Sequence, residues 1–159
     1  MVKNANQKEA ARKKSLGELG ELIAIKVLVD NRFEKIINLN DKKTNFPFAD
    51  IYAEKEGKRF IISVKARNKY QKDGKLNAFY NLGKNFRHYA KIAQKEYKAD
   101  PYWMAIQFDK TTYSVYFGSI EELEGKNAIP LRQCEKGEIG ICLAKNVRHY
   151  FDFEYFGNK

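Results

Sequence analysis

The stretch Phe48-Ala49-Asp50-Ile51-Tyr52-Ala53, followed by Phe60-Ile61-Ile62-Ser63-Val64-Lys65, decides how this chain is read. Two short apolar runs flank the polar turn Glu54-Lys55-Glu56-Gly57-Lys58, the pattern of a strand, a tight turn and a second strand. Asp50 sits in the first run, where aspartate is disfavoured, so its presence asks for a reason. Ser63 and Lys65 are two positions apart and project from one face of the second strand. Adjacent strands can bring Asp50 and Lys65 to one point. An acid and an amine held there can bind a metal ion and stabilise charge on a phosphate. Plainer roles exist for each: an aspartate taking backbone N–H bonds at a strand edge, a solvated lysine ending a strand, and a small serine beneath a helix.

Upstream lies Gly17-Glu18-Leu19-Gly20-Glu21-Leu22-Ile23-Ala24. Ser15 as an N-cap and Glu18 three residues on make a capping box, so a helix is expected from about Leu16 to Val29. It is apolar nearly all round and should be well buried. Glu18 has a local role as the partner of Ser15. Glu21 has none, and a carboxylate on an apolar helix needs a partner. A metal or Lys65 would serve, as would a solvated seam or a structural lysine.

Together these residues resemble the core of the PD-(D/E)XK nuclease superfamily, the restriction-endonuclease-like fold. Its signature is an acid in one strand, a polar turn, and an acid-any-lysine triplet in the next, with a glutamate on the first helix. Phe-Ala-Asp50 stands for the first element, Ser63-Val64-Lys65 for the triplet, and Glu21 for the helix acid. The resemblance spans Ser15 to Arg67. It implies an α/β domain with a mixed β-sheet flanked by helices, and a magnesium- or manganese-dependent endonuclease that hydrolyses DNA. Glu21 and Asp50, with the Val64 carbonyl, would hold the metal. Lys65 would stabilise the phosphate or help orient the attacking water. Ser63 stands where the triplet acid belongs and could hold a water, but a hydroxyl is a far weaker magnesium ligand than a carboxylate. A silent DNA-binding module with the same fold is therefore the alternative, and a basic protein binding RNA or a protein partner is another. Size and helix-first order are most similar to Holliday junction resolvases and small homing or restriction-type nucleases, which implies a homodimer.

Charge points the same way. The 159 residues carry 30 Lys+Arg against 20 Asp+Glu, a formal net charge of +10, which favours an anionic partner such as DNA. A basic arm over 1–14 precedes a single domain over 15–159. No apolar run reaches the roughly 18 residues of a membrane span, and Met1 to Lys14 lacks a signal-peptide core, so a cytoplasmic location is expected. Cys134 and Cys142 lack CxxC spacing, and His88 and His149 are scattered, which argues against zinc. A disulfide between them is disfavoured in a reducing cytosol.

The rest of the chain supplies further elements. Strands are expected over Phe33–Leu39, Tyr102–Asp109, Tyr113–Phe117, Ile139–Ala144 and Tyr150–Phe156, a short helix over Ile120–Leu123, and irregular chain over Asp41–Pro47 and Ile129–Lys136. A second helix is expected from Ala78 to Lys98. Lys84, Arg87, His88, Lys91, Lys95 and Lys98 recur on it at spacings of three and four. Phe79, Leu82, Phe86, Ala90, Ala93 and Tyr97 form the apolar stripe opposite. A single-sign row of this kind can neutralise phosphates along a duplex, although a solvated face would also carry it. Arg67, Lys69, Lys72 and Lys75 follow Lys65 and could extend the same field.

Overall fold

The computed structural model describes residues 5–42 and 48–150. Its centre is β3 (Lys58–Asn68), an eleven-residue strand whose alternation sets the layers. Phe60, Ile62 and Ala66 turn to one face and join the largest apolar cluster, with Val64 packed against it. Ile61 turns to the other, in a separate cluster. β3 pairs antiparallel with β2 (Ile51–Lys55) on one side and parallel with β5 (Asp100–Asp109) on the other. Adding β1 (Glu34–Asn38), β6 (Thr112–Ser119) and β8 (Ile141–Arg148) gives a six-stranded mixed sheet, order β1-β2-β3-β5-β6-β8. Helix α1 (Ala5–Asp30) covers one face and α3 (Phe86–Tyr97) packs on the other. This is the expected α/β architecture: a mixed sheet flanked by helices.

Helix α1 differs from expectation at both its start and its surface. It runs unbroken from Ala5, so Ser15 lies mid-helix and the Ser15–Glu18 capping box does not form. The alanines, lysines and glutamate of residues 5–14 are good helix formers and carry the helix back through the expected arm. Leu16, Ile23, Ala24, Val27 and Leu28 are buried, but Leu22 and Val29 are 66% and 58% exposed, so the helix keeps a wet face. Gly20 sits at the closest approach. A Cβ built there would stand 2.5 Å from the Ala66 Cβ of β3. Lacking a side chain, Gly20 lets α1 lie directly on the strand and carries its neighbour Glu21 to the sheet.

The expected second helix is cut short. Asn81 accepts a hydrogen bond from the Gly83 N–H at 2.9 Å, and Gly83 has φ +98°, so an Asx-type turn interrupts the run. Phe79–Asn81 becomes strand β4, paired with β7 (Ala128–Pro130), and α3 begins only at Phe86. Phe79 is consequently exposed rather than in the apolar stripe, whereas Leu82 is buried in the loop. Lys98 ends α3 in the left-handed region, φ +50°. The stretch expected to be irregular forms β7 and α4 (Leu131–Glu135), because Ile129, Leu131 and Cys134 enter the second apolar cluster. A short helical turn, α2 (Leu39–Lys42), follows β1 at the expected start of a loop, and 43–47 fall outside the described residues. So does the expected strand over Tyr150–Phe156, apart from Tyr150, which is exposed and outside any strand. Cys134 and Cys142 are free thiols. Burial pushes the Cys134 thiol up to about 12, which keeps it protonated and inert. No helix among the described residues is long and apolar enough to cross a membrane.

Candidate active site

The site forms in a notch where β2 begins. The β2–β3 ladder reaches its last rung at Ile51–Ile62, and the Asp50 N–H adds one more bond, to the Ile62 carbonyl at 2.9 Å. Beyond that point, among the described residues, β3 has β5 on one side and no strand on the other. The Val64 N–H faces this gap and donates to Asp50 Oδ2 at 2.8 Å. Within a strand the carbonyl of a residue points the same way as its N–H, so the Val64 carbonyl opens on the notch as well. Asp50 stands just ahead of β2 rather than inside it, which removes the conflict with strand propensity. Phe48 has φ +69°, unusual for an aromatic residue, and this bend turns Ala49-Asp50 into the sheet.

Glu21 enters the same notch from the opposite layer. Asn40 Nδ2 of α2 donates to Glu21 Oε1 at 2.6 Å and to Asp50 Oδ1 at 3.2 Å, tying both acids to one amide. Ser63 and Lys65 line the same cavity of about 620 Å³ as Glu21, Asn40 and Asp50. Sequence-expected residues from α1, the start of β2 and mid-β3 are therefore brought together. Ser63 is buried and pairs in register with Trp103, and Lys65 pairs with the small Ala105, which leaves room for its stem.

Burial governs the electrostatics. It raises the Asp50 carboxyl above the usual range, against the Val64 N–H, the Asn40 amide and the Lys65 charge, which all favour ionisation. Burial lowers the Lys65 amine; nearby Asp50 opposes this and Arg67 adds to it. A second cation or an anionic ligand in the notch would restore the charged form of one group or the other.

Among the described residues no group of three or more His, Cys, Asp or Glu could hold a metal ion. The donor set is two carboxylates, a hydroxyl, an amide and the strand carbonyl. Magnesium is commonly held by one or two carboxylates together with waters and substrate phosphates. Glu21 and Asp50 fit an ion held in that way and not a closed protein cage.

The expected DNA-binding residues do not share one place. Lys84 lines the site cavity, in the loop ahead of α3. Lys91 and Lys95 are exposed and line a larger groove, about 1040 Å³, with His88, Lys98 and Arg59. Arg87 is engaged otherwise: its guanidinium donates to the Lys126 carbonyl at 2.6 Å and lies over the Phe86 ring. Lys69 and Lys72 are engaged in ion pairs, and Arg67 stands near enough to Lys65 to act on its amine. Arg67 and Lys72 line a separate cavity beside α1, where Lys72 pairs with Glu9, and Lys69 pairs with Asp109. Sequence reading missed Asn40 and Arg59. Nothing about an asparagine in Asn38-Leu39-Asn40-Asp41 marks it as the contact between two distant acids, and Arg59 stands unmarked beside a hairpin turn.

Neither a family model nor a curated relative matches this chain. Among solved structures, the Holliday junction resolvase Hjc of the archaeal hyperthermophile Archaeoglobus fulgidus matches with a TM-score of 0.54. The match covers 76% of this chain and 89% of that one, at 19% identity. The fold is resolvase-like. At this identity the likeness concerns the path of the backbone, and the functional residues stand on the geometry above.

Proposed function

We propose that the protein is a divalent-metal-dependent endonuclease acting on DNA, with branched duplexes as the first substrate class and a homodimer as the working unit. One observation carries the reading: Glu21, Asp50, Ser63 and Lys65 line one cavity at the notch beside β3, within a fold like that of a resolvase. Glu21 and Asp50 would hold magnesium or manganese, with the Val64 carbonyl as a further oxygen. When bound, such an ion supplies Lewis acidity to the phosphate and lowers the pKa of a nearby water. Lys65 meets charge developing on the phosphate from a desolvated position, where one positive group counts for more than in water. Ser63 positions water through its hydroxyl. Lys91 and Lys95 hold the backbone away from the reacting atoms. Two strands must be cut, so two copies of the site are needed.

The test is incubation of the full chain with plasmid and four-way-junction DNA in Mg²⁺, in Mn²⁺ and in EDTA. Cleavage is expected in the metal buffers alone, and Asp50→Asn should abolish it while leaving most DNA affinity. Ser63 supports one rival, a binding module that retains the fold without catalysis. DNA binding without cutting under every metal condition would select that rival.

A further inference from the structure

The amide of Asn40 touches both candidate metal-holding acids, 2.6 Å from Glu21 and 3.2 Å from Asp50. Two facing carboxylates repel, and in the notch the Asn40 N–H groups lie where positive charge is wanted. A primary amide carries an oxygen on the other arm of the same carbon. Rotation about the Cβ–Cγ bond exchanges Nδ2 for Oδ1 with little movement of the rest of the residue. With no cation the donor arm satisfies the acids. With a cation the acceptor arm would face it.

Resting on the metal reading above, we propose that Asn40 is a neutral oxygen ligand of the metal, completing a donor set that lacks the triplet acid at position 63. Three features converge on this. The described residues offer only two carboxylates at the notch, and Ser63 contributes a weak ligand. Asn40 is held in place by its own backbone, whose N–H donates to Asn38 Oδ1 at 3.0 Å, so the amide stays over the notch. Its contact with both acids puts it at the point they share. The site then carries two negative ligands instead of three, and metal affinity falls as the number of charged ligands falls. Binding in the absence of DNA should be weak and should tighten when substrate phosphates join.

Mn²⁺ titration of the full chain without DNA, followed by the electron paramagnetic resonance of free Mn²⁺, tests this apart from cleavage. Wild type should bind one ion, and Glu21→Gln and Asp50→Asn should remove it. Asn40→Ala should weaken binding about tenfold or more, the scale at which a supporting group matters. Asn40→Asp, adding a third carboxylate, should bind about tenfold tighter. Melting gives a second reading: Asn40→Asp should melt below wild type in EDTA, from carboxylate repulsion, and recover in Mn²⁺. A purely structural asparagine would show the same loss in both buffers. If Glu21→Gln and Asp50→Asn lose the ion while both Asn40 variants bind like wild type, the inference falls and the metal reading stands. If wild type binds no Mn²⁺, both fall. If Asn40→Ala does not fold, Asn40→Asp decides: affinity no tighter than wild type overturns the proposal.

Discussion

The two faces of β3 are made from one run of sequence and have opposite characters. Toward α1 it turns Phe60, Ile62, Val64 and Ala66, which pack into the main apolar cluster. Away from α1 it turns Ile61, Ser63 and Lys65, and from Ser63 onward that face becomes polar. The α1 face is closed because the helix lies directly on the strand at Gly20. The other face is open because α3 begins late, at Phe86, and the loop before it only borders the cavity. The difference separates two jobs along alternate residues: one face supplies folding energy, and the other can place charged groups where an apolar core would not tolerate them. A site built this way draws its stability from neighbours that take no part in its chemistry.

The sharpest way to break the comparison is to substitute neighbours on opposite faces. Lys65→Ala should lower cleavage by about 10²–10³, the loss typical of removing one charge-stabilising group, with little change in melting temperature. Ile62→Ala should do the reverse, costing roughly 2–5 kcal/mol of stability and leaving activity per folded molecule near wild type. Denaturant titration and single-turnover cleavage measure the two. Equal effects of both substitutions on either quantity would mean the faces are not independent.

Gly20→Ala sharpens it by touching both jobs at once. The new methyl would stand 2.5 Å from Ala66 Cβ, so α1 must lift. Overpacking of this kind costs about 1–3 kcal/mol. Because Glu21 rides on the same turn, Mn²⁺ affinity should fall as well. Loss of stability with unchanged metal binding would show that Glu21 adjusts on its own.

A smaller effect concerns the stability given up at the open face. Burial holds the Asp50 carboxyl above its unfolded value. The folded chain therefore keeps that proton to a higher pH than the unfolded chain does. Stability from this group falls as pH rises from the unfolded value, near 4, through the folded one. Above the unfolded value the burial of this carboxyl is a cost. In EDTA at pH 7, Asp50→Asn should melt a few degrees above wild type, and the gap should close below about pH 4. A variant that melts lower at pH 7 would show that the Lys65 and Asn40 contacts outweigh burial.

How much of this was legible in the sequence follows from the distance over which each cause acts. The alternation of β3 and the turn at Gly57 are local, and the two motif strands could be read from them. Asp50, Ser63 and Lys65 could be placed on the same grounds, and Glu21 because an acid amid apolar residues needs a partner. Ser15 misled because a capping box is a local signal, and here the residues before it already favour helix. The end of the second helix, at Lys98, was legible, but its start was not. Phe79 and Leu82 keep helical spacing with Phe86, and the local turn at Asn81–Gly83 together with the pairing of β4 with β7, some fifty residues on, decides against it. Asn40 was invisible for the same reason: its partners lie 19 and 10 residues away, and no pattern in its own neighbourhood marks it.

The smallest effect separates two basic residues that the sequence treats alike. Arg87 and Lys91 are one helical turn apart, and both fall in the row read as a phosphate-binding stripe. In the structure Lys91 is exposed in the groove with Lys95 and Lys98. Arg87 is half-buried, bonded to the Lys126 carbonyl and lying over Phe86. A cation spent on a carbonyl and a ring tethers the turn near Lys126 and releases few counterions when DNA arrives. Removing one phosphate-neutralising cation should lower the slope of log K against log salt by about 0.9 on duplex DNA. Lys91→Ala and Lys95→Ala should therefore each flatten the slope by that amount and leave melting unchanged. Arg87→Ala should leave the slope as it is and lower the melting temperature, since packing and a charge-assisted bond disappear together. Binding isotherms at four or five salt concentrations, with melts of the same samples, decide it. A slope that drops for Arg87 as much as for Lys91 would restore the whole row as a DNA-binding face.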